Sequence, residues 1–141
     1  MTVVRYGEAG DRAFWYSLDK HLLQDEFEEK VRRRECYVLL ADGTPAGLLR
    51  YNLFWDSVPF CTMLYIDALH RGKGFGRKLL ERWEQDMRER GYGMLMTSSQ
   101  ADESAQHFYR RLGFNDCGGF VINIPGYEQP LEIIFAKGLG G

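Results

Sequence analysis

The stretch that most constrains this chain runs from Leu64 to Leu80. An apolar segment, Leu64 to Leu69, breaks into His70-Arg71-Gly72-Lys73-Gly74-Phe75-Gly76-Arg77-Lys78 and resumes as an amphipathic helix. Such a pattern predicts a strand passing through a glycine-rich turn directly into a helix. Three alternating glycines let the backbone approach a ligand without Cβ clashes, and the first helical turn leaves several N–H groups unpaired. With the positive end of the helix dipole and four basic side chains nearby, those N–H groups form an anion site. Phosphate is its natural guest.

Spacing narrows the choice of phosphate ligand. A dinucleotide fingerprint needs G-x-G-x-x-G and a P-loop needs G-x-x-x-x-G-K-[ST]. The order here is Gly72-x-Gly74-x-Gly76 followed by Arg77, and no Gly-Lys-Ser/Thr occurs. Both motifs fail.

The rest of the chain reads as one domain, residues 1–141, with 138–141 as a frayed tail. Thr2 to Tyr6 alternates as a strand. Phe14, Trp15, Leu18, Leu22, Leu23, Phe27 and Val31 recur at helical spacing, predicting a helical pair that ends near Arg34. Tyr37–Ala41, Gly47–Trp55 and Phe60–Leu69 read as three antiparallel strands. Phe75, Leu79, Leu80, Trp83 and Met87 share one helix face, closed near Gly91. A strand at Met94–Thr97 follows and, for want of a hairpin-length turn, is predicted parallel to the fourth. Asp102 is placed to cap a helix carrying Ala105, Phe108, Tyr109 and Leu112, and two last strands fall at Phe120–Ile124 and Leu131–Lys137.

Composition excludes several function classes. The formal net charge is -2, which gives no general attraction to nucleic acid or an anionic membrane. No stretch approaches the roughly 20 apolar residues of a bilayer span, and the N-terminus lacks a secretory h-region, so a cytoplasmic protein is expected. Cys36, Cys61 and Cys117 are odd in number and contain no C-x-x-C, arguing for free thiols over a disulfide framework or metal site. The chain alone leaves its oligomeric state open, a homodimer included.

Arg71-x-x-Gly74-x-Gly76, directly after a strand and opening a helix, resembles the coenzyme A pyrophosphate loop of the GNAT superfamily of N-acetyltransferases. Ala105-x-x-Phe108-Tyr109-Arg110-Arg111-Leu112-Gly113-Phe114 resembles that family's helix ending in tyrosine and Leu-Gly-Phe after the fifth strand. The predicted element order is similar over essentially the whole chain. The resemblance implies an α/β (α+β) fold: a mixed, mostly antiparallel sheet of about seven strands with about four helices, splayed between strands four and five. One position departs from the family, where a common asparagine seven residues before the tyrosine is Asp102 here.

The chemistry that the resemblance implies is acetyl-CoA-dependent transfer of an acetyl group to a primary amine of a small molecule or peptide, by direct attack on the thioester and with no metal. A pantetheine arm would lie in the splay against the main chain of Leu64, Tyr65 and Ile66, with the Ile66 N–H as oxyanion donor. The backbone of Arg71, Gly72, Lys73, Gly74, Phe75, Gly76 and Arg77 would hold the diphosphate, and Asp102 would face the cofactor arm. Tyr109 would protonate the departing thiolate. No base is evident on the fourth strand, which leaves Asp67, His107 or a water relay. Cys61 lacks a paired base and is disfavoured as a nucleophile. Tyr51, Phe54 and Trp55 are weighed as an acceptor pocket against plain core, and Asp25, Glu26, Glu28 and Glu29 as an amine attractor against a solvated helix face. The alternative function is a non-catalytic acyl-CoA-binding or regulatory module.

Overall fold

Strict alternation in Cys36–Ala41 explains how the layers form. Tyr37 and Leu39 point to one side of this strand, and Cys36 and Val38 point to the other. A strand apolar on both faces belongs in the middle of a three-layer structure, and this one lies between β1 (Thr2–Tyr6) and β3 (Thr44–Phe54) as β2. In the computed structural model, which describes residues 1–140, two helices cover each face. On one side, α1 (Arg12–Leu18) and α2 (Gln24–Arg33) bury Trp15 and Phe27 against Cys36, Val38 and Leu48. On the other, α3 (Phe75–Glu89) and α4 (Ala105–Arg111) bury Leu79, Trp83, Met87 and Tyr109 against Tyr37, Leu49 and Phe135.

The seven-stranded sheet has the order β1-β2-β3-β4-β5-β7-β6, with β4 (Val58–Ile66), β5 (Met94–Gln100), β6 (Asn115–Phe120) and β7 (Glu132–Gly138). Every neighbouring pair is antiparallel except β4 and β5. The crossover through α3 makes that pair parallel. The predicted mixed sheet, four helices and β4–β5 splay are all present. No helix among the described residues is long and apolar enough to cross a membrane.

Several boundaries differ from the sequence reading. β4 ends at Ile66 and not Leu69, because Asp67 accepts the Leu69 N–H (3.0 Å) and turns 68–70 into a 3-10 turn. The sixth strand lies at Asn115–Phe120, ahead of the predicted Phe120–Ile124. Its Gly118-Gly119 pair reads as a breaker in sequence but forms a bulge, and a Cβ on Gly119 would stand 2.5 Å from the Glu132 carbonyl oxygen. Helix α4 starts behind Ser104, so Asp102 is not its N-cap. Part of the expected frayed tail is ordered: Gly138 ends β7, and Leu139 is buried with its N–H on the Gly93 carbonyl (2.9 Å). Gly141 lies outside the described residues.

Candidate active site

β4 and β5 pair only at Phe60–Met96 and Cys61–Thr97 and then part. The cause is local. Across β3, Arg50 registers with Met63 but Tyr51 with Cys61, so Thr62 is an extra residue that bends β4 away from its neighbour. Arg50 fixes the bulge by donating from Nη1 to Thr62 Oγ1 (2.9 Å), and its Nε pairs with Asp19 (2.7 Å). Asp19, fully buried, also accepts from Trp15 Nε1 and from the amides of His21 and Leu22. One carboxylate thus ties the α1–α2 turn to the bulge. Burial alone would raise its pKa, but hydrogen bonding and charge from Arg50 hold it below the ordinary aspartate value.

Beyond the bulge, the peptide groups of β4 alternate in direction. The Asp67 N–H donates to the Ala46 carbonyl (2.8 Å), so by antiparallel alternation Tyr65 and Met63 bond β3 while Ile66 and Leu64 face the gap. The Arg71 guanidinium Nε donates to the Ile66 carbonyl (3.1 Å) and stacks over the Tyr65 ring (5.0 Å). Its side chain therefore braces the strand end, a role the sequence did not suggest. Among the described residues, the Ile66 N–H and the Leu64 peptide groups have no such partner.

The loop that follows takes the left-handed conformation at Gly72 (φ 77°) and Gly74 (φ 78°), which a side chain would strain. Among the described residues, no hydrogen bond takes up the N–H groups of residues 71–77; the first is Lys78 N–H to the Gly74 carbonyl (3.2 Å). Lys73 forms no ion pair among the described residues, while Arg77 approaches Glu81 at 3.6 Å. These amides are left able to receive an anionic group.

The gap opens into a cleft of about 540 Å³ whose walls include Cys61, Leu64, Tyr65, Thr97, Gln100 and Tyr109. Tyr109 is held by ring contacts to Phe108, Phe114 and Phe135 and is 6% exposed. Burial first, then the nearby Cys61, push its hydroxyl well above the ordinary tyrosine value, against a hydrogen-bond interaction with Thr97. It stays protonated at neutral pH. Cys61 is pushed by burial up to about 12 and carries no useful thiolate at neutral pH. Thr97 closes the inner end by donating to the Cys61 carbonyl (3.0 Å).

Several candidates lie elsewhere. Tyr51 is buried under α3, packed on Trp83 and accepting from Arg90 Nη1 (3.0 Å), so it is core and not pocket. Phe54 and Trp55 sit at the exposed tip of the β3–β4 hairpin. Glu28 pairs with Arg12, and Glu29 with Arg32 and Arg33, on the solvated face of α2. Asp67 caps the turn after β4, and His107 is exposed on α4; neither lines the cleft. Asp102 is exposed in the turn before α4 and also lies off the cleft walls. The sequence reading missed Thr62, Thr97 and Glu132. The polar run Thr97-Ser98-Ser99-Gln100 in a central strand was the available signal, since dry sheet interiors do not tolerate it.

Comparison with known proteins agrees with this geometry. The model of the acetyltransferase (GNAT) family matches residues 6–114, and the chain belongs to that family. It is 46% identical over 92 residues to streptothricin acetyltransferase of Streptomyces lavendulae, a match covering 64% of this chain and 49% of that protein. The chain thus spans about half the length of this curated relative. The structure of nourseothricin acetyltransferase superposes with a TM-score of 0.65 at 27% identity, covering 74% of this chain and 64% of that one. The Salmonella typhimurium protein yncA, solved with its cofactor acetyl-CoA, superposes with a TM-score of 0.84 at 17% identity over 100% of this chain and 95% of that one, a likeness of fold.

Proposed function

We propose that this protein transfers an acetyl group from acetyl-CoA to a primary amine of a small molecule or peptide, by direct attack of the amine on the thioester, in the cytoplasm. The observation that carries this reading is a half-open sheet: the unbonded peptide edge of β4 leads from the free amides of the 71–77 loop to the protonated, buried Tyr109. An anionic diphosphate matches the loop, and an amide-containing arm matches the strand edge. Bound acetyl-CoA would supply an activated acyl carbon and a thiolate leaving group.

The chain's own residues then have defined tasks. The amides of Arg71, Gly72, Lys73, Gly74, Phe75, Gly76 and Arg77 hold the diphosphate, with the Lys73 side chain as a neighbouring cation. Leu64 presents its peptide groups to the arm, Tyr65 lines it with its ring, and the Ile66 N–H polarises the thioester carbonyl. Asp102 contributes from the rim near the start of α4. Tyr109 gives its proton to the sulfur as the carbon–sulfur bond breaks. β4 places no carboxylate or imidazole in the cleft and Asp67 and His107 do not line it, so the amine's proton passes to water and not to any of these. A homodimer would leave these tasks within each chain.

Streptothricin acetyltransferase and nourseothricin acetyltransferase are both similar to this chain, so the acceptor panel should include streptothricin beside simple amines and short peptides. Thiol release from acetyl-CoA is expected to depend on the acceptor. Saturable binding of coenzyme A with no acceptor-dependent thiol would replace the enzyme reading with a binding module.

A further inference from the structure

An alkyl amine has a pKa near 10.4, so an acceptor reaches the protein as a cation. Four ionisable side chains besides Tyr109, Tyr65 and Cys61 line the cleft: Lys20, His21, Glu103 and Glu132. Lys20 spends its ammonium on the Tyr16 carbonyl (2.9 Å). Neither glutamate has an ion-pair partner among the described residues. The two differ in how firmly they are held. Glu103 is exposed in the turn before α4, whereas Glu132 is half-buried as the first residue of β7. Its Oε1 accepts from Gln129 Nε2 (3.0 Å), which fixes the side chain and leaves Oε2 without a partner among the described residues.

Register gives Glu132 a distance from the reaction centre. Thr97 pairs with Phe135, and Gln100 pairs with Glu132. Phe135 lies on the α3–α4 side of the sheet with Tyr109, so alternation sends Glu132 to the opposite side, where the α1–α2 turn brings Lys20 and His21 to the cleft. Three residues of strand between Phe135 and Glu132 amount to roughly 10 Å. The carboxylate is therefore out of reach of a nitrogen attacking beside Tyr109. Allowing for the length of the glutamate side chain, it meets a second cation about six bonds from that nitrogen. Its charge is felt in the cleft: after burial and Cys61, both Glu103 and Glu132 add to the upward push on the Tyr109 hydroxyl.

We propose that Glu132 anchors the second ammonium of a diamine-type acceptor and so selects such acceptors over monoamines. The assignment rests on the acetyltransferase reading and deepens it by naming an acceptor class. A charge-assisted hydrogen bond in a half-buried cleft is expected to favour 1,5-diaminopentane over n-pentylamine by roughly 10- to 100-fold in kcat/KM, expressed mainly in KM.

The test compares those two amines in the parent and in Glu132→Gln, which keeps an oxygen for Gln129 but removes the charge, with Glu132→Asp as the charge-retaining control. The ratio should collapse towards unity in Glu132→Gln and be partly kept in Glu132→Asp, with the acetyl-CoA Kd unchanged as evidence of intact folding. A ratio near unity in the parent, or one equal in parent and Glu132→Gln, overturns the anchor. Turnover of neither amine also overturns it. In that case saturable acetyl-CoA binding leaves the cofactor reading standing, and absence of binding removes the acetyltransferase reading as well.

Discussion

The two edges of β4 face opposite fates within one strand. Towards β3, residues from Val58 to Ile66 are registered against Gly47 to Phe54 in a nearly continuous ladder, interrupted only by the bulge at Thr62. Towards β5, the same strand bonds at Phe60 and Cys61 and then stops. Unpaired peptide groups are costly when buried away from water, so a fold keeps them only where solvent or a ligand can satisfy them. One edge of β4 holds the sheet together; the other, on the function proposed above, is a docking edge for an extended, amide-bearing molecule. The difference between them is enforced from a distance, by a buried Asp19–Arg50 pair that grips Thr62.

Removing that grip should have the largest effect. Asp19→Ala leaves Arg50 buried without its partner and frees two amides of the α1–α2 turn, and a loss of about 3–5 kcal/mol is expected in denaturant unfolding. If stability holds, the bulge does not depend on this pair. Next comes the chemistry at the docking edge. Tyr109→Phe should lower kcat by roughly 10² or more while the acetyl-CoA Kd stays constant; an unchanged kcat removes the hydroxyl from the mechanism.

A smaller effect separates folding from binding at the loop. In Gly76→Asp, the new Cβ would meet Phe108 Cζ at an ordinary 3.5 Å, and a carboxylate in the first turn of α3 suits the helix dipole. Melting temperature should therefore hold or rise, while the coenzyme A Kd weakens about tenfold through repulsion of the diphosphate. Parallel losses in both would mean the loop serves only the fold.

The smallest expected effect is in acid. Asp19 has its carboxyl held below the unfolded value, so its contribution is present above about pH 4 and fades as pH falls through the lower folded value. Asp19→Asn should flatten the acid limb of the stability profile. An acid limb identical in parent and variant would count against the pair's role.

How much was legible beforehand varies with the kind of interaction. The helix α3 and its preceding loop were readable because Phe75, Leu79, Leu80, Trp83 and Met87 announce a face and the glycines announce a turn, all within one short stretch. The splay was accessible only through family resemblance, since Thr62 differs in no local way from its strand neighbours. β6 was misplaced because Gly118 and Gly119 look like breakers, whereas close approach of the Glu132 carbonyl demands a glycine at 119. Tyr51 could be weighed as pocket or core from sequence, and the fold decides for core. Alternation tells which residues share a face but not which face is dry.

Local order was thus written into the chain itself: strand periods, the helix stripes, and a turn whose positive φ values only glycine accepts readily, each set by backbone sterics and side-chain spacing over a few residues. The assembly of the cleft was decided by tertiary structure. Asp19 meets Arg50, Thr97 meets Cys61, and Glu132 comes level with Gln100 only after the sheet has closed. Contacts between residues 30 or more positions apart leave no periodic trace in a single sequence, because their geometry comes from packing and not from neighbours along the chain.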